Sequence, residues 1–458
     1  VIAAPGAAIG FQNHMRLDGL QKGGELEKLV LNTAALVASV LCLGAAAEAQ
    51  SGVAMSEADA GTMYQRNRNL SVMDRASLQN ASAYQHGAFL FSPELRGSIE
   101  FNDNIFATSS NEETDVILEV NPTLGIQSTW SRHALTADLS ATQREYMDFG
   151  DESVFNYSAG VGGRLDVVRG TWFDGGLRYS DNTEPRTSAG AAGQAAKPIE
   201  YDQFDSFVGF NREFGRYRAE AKAEFSNFDY DDSVLFGGAV ADQDFRDRDD
   251  TTLTVRGDYA VSPDTSWFVR ASYEEESYDL SPPDPDAPID RDSSGYTAQV
   301  GADFDIRHIA RGEVGVGYTT RDYDDPSQET EEGASVSAAV DWFPTQLTTV
   351  GVSASRSIEA SAVAGSAGRT NSALELVVDH ELRRDVVLTA AVNWGQDDYN
   401  SIDRTDERFG GSVSVSYFWT ENVGVRAGYA YTEQDSSGAA GNQDYTRNVV
   451  SVSFVIRP

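Results

Sequence analysis

Ser412-Val413-Ser414-Val415-Ser416-Tyr417-Phe418-Trp419 runs into a tight Thr420-Glu421-Asn422. It returns as Val423-Gly424-Val425-Arg426-Ala427-Gly428-Tyr429-Ala430-Tyr431. A polar loop follows, then Asn448-Val449-Val450-Ser451-Val452-Ser453-Phe454-Val455-Ile456. Large apolar residues alternate with small or polar ones in each run. Successive strand side chains point to opposite faces, so each run has one greasy face and one wet face. Charged residues can fill the wet face: in Tyr217–Phe225 the odd positions are apolar and the even ones are Arg218, Glu220, Lys222 and Glu224. The same period recurs from about Pro93 to the last residues without an intervening helical pattern. Isolated alternating strands are common in soluble sandwiches, but a long unbroken series is the pattern of a membrane barrel.

The reading is therefore all-β: a transmembrane antiparallel up-and-down β-barrel of about eighteen strands. Mean hydropathy is −0.38, which is too polar for helical spans and suits strands that present only alternate residues to lipid. Short turns are expected near 131–132, 168–170, 213–216, 262–265, 310–312, 344–346, 383–385 and 420–422. Longer polar loops are expected between them, and this asymmetry is that of outer-membrane barrels. The formal net charge is −36, which excludes a nucleic-acid partner, since that requires basic surface.

Residues 1–49 read as a signal segment, in which Arg16, Lys22 and Lys28 precede an apolar stretch and Ala47-Glu48-Ala49 offers a small-x-small cleavage site. Residues 50–88 are polar and aperiodic and are expected to form a flexible periplasmic arm. Residues 89–458 are then the barrel. The single cysteine, Cys42, falls in the leader, so the exported chain has no thiol for a disulfide or a metal.

Aromatic residues near strand ends suggest two interfacial girdles. Trp130, Trp172, Trp267, Trp342 and Trp419 lie near short turns, and Tyr146, Tyr157, Tyr179, Tyr230, Tyr323 and Tyr431 lie at the other strand ends. The opposite parity is expected to line the pore. It carries Arg164, Arg178, Arg218, Glu220, Lys222 and Glu224 in the first half. It continues with Arg256, Asp258, Arg270, Asp303, Asp305, Arg307 and Arg426. These charges of both signs would hydrate a lumen and set a transverse field. The long loops are acidic, as in Asp229-Tyr230-Asp231-Asp232 and Asp322-Tyr323-Asp324-Asp325. They lack the spaced ligand pattern of a dedicated calcium loop, so solvated surface is the expectation. An enzyme is disfavoured: of the five histidines only His380 falls well within a strand, and it has the lipid-facing parity. No catalytic set, cofactor or metal site is expected.

Phe89-Leu90-Phe91-Ser92-Pro93-Glu94-Leu95, followed by Glu100-Phe101-Asn102-Asp103-Asn104-Ile105-Phe106, resembles the opening of the outer-membrane beta-barrel porins of proteobacteria. Phe101 stands where that family usually has Tyr. The resemblance implies a barrel in the bacterial outer membrane and, for some members, polysaccharide export. Outer-membrane lipid, lipopolysaccharide and the barrel-assembly machinery are the partners this implies, with polysaccharide a further one. It carries no catalytic residues. The functional expectation is a porin passing hydrophilic solutes or polysaccharide. The alternative is a non-conducting barrel whose acidic loops bind glycan, cations or a partner.

Overall fold

The computed structural model describes residues 72, 83–188, 195–235, 237–284, 287–306, 309–420, 422–441 and 443–458. The expected leader and most of the expected arm lie outside them, as does Arg307.

The described chain forms one long series of strands. In order these are β1 (Phe89–Asn102), β2 (Asp115–Ser128), β3 (Ala134–Tyr146), β4 (Val154–Val168), β5 (Thr171–Thr183) and β6 (Glu200–Phe214). They continue as β7 (Tyr217–Tyr230), β8 (Arg248–Ser262), β9 (Thr265–Tyr278), β10 (Ser293–Ile306), β11 (Ala310–Tyr323) and β12 (Glu331–Thr345). The last are β13 (Thr348–Ala360), β14 (Gly368–Arg383), β15 (Val386–Tyr399), β16 (Thr405–Thr420), β17 (Val423–Ser437) and β18 (Tyr445–Ile456). Each pairs antiparallel with its predecessor, and β1 pairs with β18 from Leu95↔Ile456 to Asn102↔Val449. The 18 strands therefore close into a barrel with no free edge. A short strand, Tyr84–His86, folds back on Phe89–Phe91, so pairing begins a few residues before the expected start of the barrel.

Connections alternate between turns of a few residues and longer loops, as the sequence pattern predicts. Gly170 and Gly215 form turn tips at φ +73° and +65°, where a Cβ would be strained. Several hairpins shift register just before the short turn, as between Asp166 and Val168 or Phe418 and Thr420, which sharpens the local twist.

The two faces differ in kind. Ile99, Phe101, Phe155, Leu165, Val208, Val255, Val300, Val413 and Phe454 are exposed on one of them. On the other, charged side chains join strands that are not neighbours: Arg178 of β5 meets Asp138 of β3 at 2.7 Å, and Arg256 of β8 meets Glu313 of β11 at 2.7 Å. Side chains so separated converge only where the wall is concave, so this is the inside of the barrel. Val72 also lies there: its N–H donates to Thr349 Oγ1 (3.0 Å), and it packs against Val387 and Phe418 near the short-turn end.

The inner wall is not uniformly polar. Phe268 of β9, 2 % exposed, reaches over Gly301 of β10 towards Gly315 of β11, with the Arg256 guanidinium 4.2 Å from its ring centre. A Cβ at Gly301 would clash with that ring and with the Val314 carbonyl oxygen. Glycine is required here by close approach, and the aromatic side chain covers the gap it leaves. Gly301→Leu is expected to displace the ring and cost about 1–3 kcal/mol, seen as a lower temperature for loss of the folded gel band. Gly351→Ala on the inner wall of β13, opposite Asp341, meets only ordinary contacts and is the control.

Candidate conduction pathway

The inner wall between β1 and β12 is a chain of ion pairs. Glu100 and Glu119 flank Arg144 at 3.1 and 3.5 Å. Arg164 pairs with Asp166 (3.0 Å), and Arg218 donates to Asn211 (3.0 Å) and pairs with Glu220 (3.1 Å). Lys222 meets Glu224 at 2.7 Å. Glu313 then bridges two arginines, Arg256 and Arg270, each at 2.7 Å, and Arg256 also holds Asp258 at 2.9 Å. Many of these pairs join residues two apart on one strand, or across it, because period two puts both on the same face. Half-buried pairs of this sort contribute about 0.2–1 kcal/mol each. Their larger effect is to hold charges of both signs at fixed positions on the wall.

The remaining arc is different. Ser335 and Ser337 on β12, Ser353 and Ser355 on β13, Ser414 and Ser416 on β16 and Ser451 and Ser453 on β18 share the inner parity. Small hydroxyls leave more room than paired arginines. Arg426 projects from this arc, exposed, with its Nε donating to Ser414 Oγ (3.1 Å). The arc also carries Glu375 and Asp379 of β14 and, towards the long-loop end, the Arg408–Asp397 pair (2.6 Å), so the lumen has a side dense in ion pairs and a side richer in hydroxyls.

The residues expected on the pore side fall as follows. Arg164, Arg178, Arg218, Glu220, Lys222 and Glu224 are on the inner face of β4, β5 and β7. Arg256, Asp258 and Arg270 join the Glu313 cluster. Asp303 lies opposite Glu313 in the β10–β11 register, and Asp305 Oδ1 is buried without a hydrogen-bond partner.

The expected girdles divide. Trp130, Trp267, Trp342, Trp419, Tyr157 and Tyr179 are outward and exposed, and Tyr431 is on the outward parity of β17 with its hydroxyl on Glu433 (2.9 Å). Four others point inward. Trp172 lies under two guanidiniums, Arg164 at 4.2 Å and Arg218 at 5.8 Å. Tyr146 has the parity of Thr142 and Arg144 on β3. Tyr230 is buried and stacked on Tyr201, with Arg246 at 4.0 Å. Tyr323 is half-buried and donates to Glu331 (2.6 Å). Nearness to a strand end does not decide which way a ring points. Parity does, and these four share the parity of the wall charges.

Three of them, Tyr146, Tyr230 and Tyr323, belong to a layer that the girdle reading overlooks. Tyr278, Tyr399 and Tyr445 are also buried at the long-loop end. Tyr399 donates to Asp406 (3.1 Å) beneath Arg404, which is held by the same carboxylate. Arg321 joins Glu274 and Glu276, and Arg186 and Arg246 clamp Glu152 and Glu184. Several acids of the expected solvated loop ends are thus buried: Glu276, Asp397 and Asp406 are 9, 0 and 0 % exposed. A tyrosine offers an apolar ring to the wall and a hydroxyl to a carboxylate, so it packs a polar loop against a polar barrel. The loops are fastened to the rim rather than merely solvated.

No helix among the described residues is long and apolar enough to cross a membrane. No curated protein matches the chain in sequence. The BenF-like porin of Pseudomonas fluorescens Pf-5 aligns over 81 % of this chain and 99 % of its own, at 8 % identity and a TM-score of 0.44. Pseudomonas aeruginosa OpdL aligns over 81 and 99 % at 12 % identity, TM-score 0.41. The ferric citrate transporter FecA aligns over 76 % of this chain at 12 % identity, TM-score 0.40, and the alignment spans 61 % of that protein's chain. The family model described as "Putative beta-barrel porin 2" matches residues 78–458, and the chain belongs to that family.

Proposed function

We propose that this barrel is an outer-membrane porin that passes hydrophilic solutes through a hydrated lumen. The observation that carries the reading is the inner wall of a closed 18-strand barrel: fixed ion pairs line one arc and serine hydroxyls with the free Arg426 head group line the other. Barrels of this strand number leave an aqueous channel when loops do not fill them, and a solute moving past such a wall exchanges water for hydroxyls and charges. An exported polysaccharide is a second cargo that the same wall would suit, since an extended polymer can use both arcs at once. The outward aromatic residues would then seat the barrel in outer-membrane lipid, with lipopolysaccharide against the long-loop end and the assembly machinery inserting it. Family membership favours a channel over an enzyme.

The buried layer at the long-loop end favours a second reading, in which the loops narrow the mouth and conduction depends on their packing. Asp247, just ahead of β8, accepts the Tyr230 N–H (2.7 Å). Burial, with Asp229, Asp244 and Asp279 nearby, raises its pKa to about 6 although the Tyr230 N–H opposes the shift. The folded loop therefore binds this proton more tightly than the unfolded chain does. Its stability is greatest below the ordinary aspartate range and falls as pH rises towards about 6.

Three outcomes are expected. The folded, heat-modifiable barrel gives discrete ion steps in planar bilayers, and a folded but silent preparation overturns the porin reading. Arg426→Glu shifts the reversal potential towards cations, by about twofold or more in permeability ratio, because no carboxylate among the described residues holds that head group. Protease protection of the 231–247 loop decreases between pH 4 and 6, and Asp247→Asn, which keeps an acceptor for Tyr230 and removes the charge, flattens that dependence.

A further inference from the structure

Among the described residues, five arginines have less than a tenth of their surface exposed: Arg218, Arg246, Arg291, Arg321 and Arg404. Four are held by carboxylates, at 3.1 Å from Glu220, 2.9 Å from Glu184, 2.9 Å from Glu274 and 2.6 Å from Asp406 respectively. Arg291, 4 % exposed, is the exception. It stands two residues before β10, on the parity of the inner wall. Its guanidinium lies 4.8 Å from the Phe245 ring of the neighbouring long loop, and its Nε is buried without an acceptor.

The acids that flank it in the chain, and the one that holds the neighbouring Arg246, accept bonds from other groups. Glu184 clamps Arg246 through both oxygens, at 2.9 and 3.0 Å. Asp290 Oδ1 accepts the N–H of Asp292 (3.2 Å), and Asp292 Oδ1 accepts the N–H of Tyr278 (2.7 Å). Burial holds the Arg291 pKa below the ordinary arginine value; the Tyr278 phenol opposes this and the Arg246 charge adds to it. Burying a guanidinium without a counter-charge is costly, and in a chain with 71 acidic residues a partner would be easy to supply. A role in binding accounts for this buried guanidinium better than packing alone. Arginine presents its N–H groups as a planar fork that fits a carboxylate in two bonds. Phe245 supports the back of that fork and fixes its plane.

The general field of the acidic loops would repel an anion at long range. At physiological salt that field is screened beyond about 8 Å, so a guanidinium in contact decides what binds. We propose that Arg291, backed by Phe245, is an oxyanion-binding station at the long-loop mouth that takes the carboxylate of a small acidic solute. It deepens the porin reading by naming a solute class, and its binding can be measured apart from conduction.

The test uses the folded barrel in detergent with D-galacturonate and D-galactose, a pair that differs by one carboxylate. Galacturonate is expected to raise the melting midpoint saturably and galactose to leave it unmoved. Arg291→Gln should weaken the apparent affinity about tenfold or more, and Arg291→Lys should recover part of it. Phe245→Ala, which keeps the charge, should weaken it less, and it serves if the glutamine variant does not fold. Equal titrations of the wild type and Arg291→Gln, or an equal response to galactose, overturn the proposal. A response to inorganic phosphate alone overturns the assignment to carboxylates. A barrel that conducts without an Arg291-dependent shift loses this station and keeps the pore. One that binds galacturonate through Arg291 but passes no current loses the pore and keeps the station.

Discussion

An unpaired backbone amide in hydrocarbon costs several kcal/mol, and a strand has one such group for nearly every residue on each side. Closure between β1 and β18 removes the only edges that the 18-strand series would leave. Everything else in the molecule follows from meeting that constraint with strands of period two. Once the ladder is closed, each residue has one of two destinations, lipid or lumen, and the sequence must sort its side chains accordingly. Leu165 goes one way and Arg164 and Asp166 the other, although they are adjacent along β4.

Closure also makes the inside concave, and concavity brings charges together. A flat sheet would keep Arg256 and Glu313, three strands apart, out of reach; the curved wall joins them at 2.7 Å. The ion-pair arc is thus a product of curvature as much as of composition. The same curvature crowds the wall where it is tightest, and Gly301 and Gly315 beneath Phe268 show how the crowding is relieved. The serine arc relieves it in part with small side chains, as at Ser353, Ser355, Ser414 and Ser416.

This division explains how much could be read from the chain alone. Strand number, the placement of short and long connections and the two faces of each strand are all local properties of period two, and Ser412–Ile456 displays them openly. The inward turn of Trp172, Tyr146, Tyr230 and Tyr323 was also written in their parity, but an interfacial belt is a strong expectation for aromatics at strand ends and it competes with parity. Trp172 is inside because Arg164 and Arg218 offer their guanidinium faces there. The pairing of the loop acids could not be read, because Glu184 with Arg246 and Glu276 with Arg321 join positions 62 and 45 residues apart. Such pairs depend on where the barrel brings loop ends together, which alternation does not encode. The unpaired state of Arg291 is less legible still, since it is defined by the absence of a partner in a sequence full of candidates.

The loop end therefore obeys a different rule from the wall. Within the wall, most charges have a neighbour chosen by register or by the curvature. Beyond the strands, register ends and polar groups are satisfied by tyrosine hydroxyls and by arginines reaching between loops, as Arg404 and Tyr399 do at Asp406. A layer of this kind ties the loops to the rim through buried charges, and breaking one partner would leave the other uncompensated. That makes the mouth stiff in its paired parts and leaves its behaviour to the few groups that are unpaired or strained by like charge. Asp247, pressed by its neighbouring carboxylates, and Arg291, with no carboxylate partner among the described residues, are of this sort and lie on adjoining loops. On the porin reading proposed above, selectivity at the entrance would rest on what these loops leave unsatisfied, above a wall that supplies a hydrated passage.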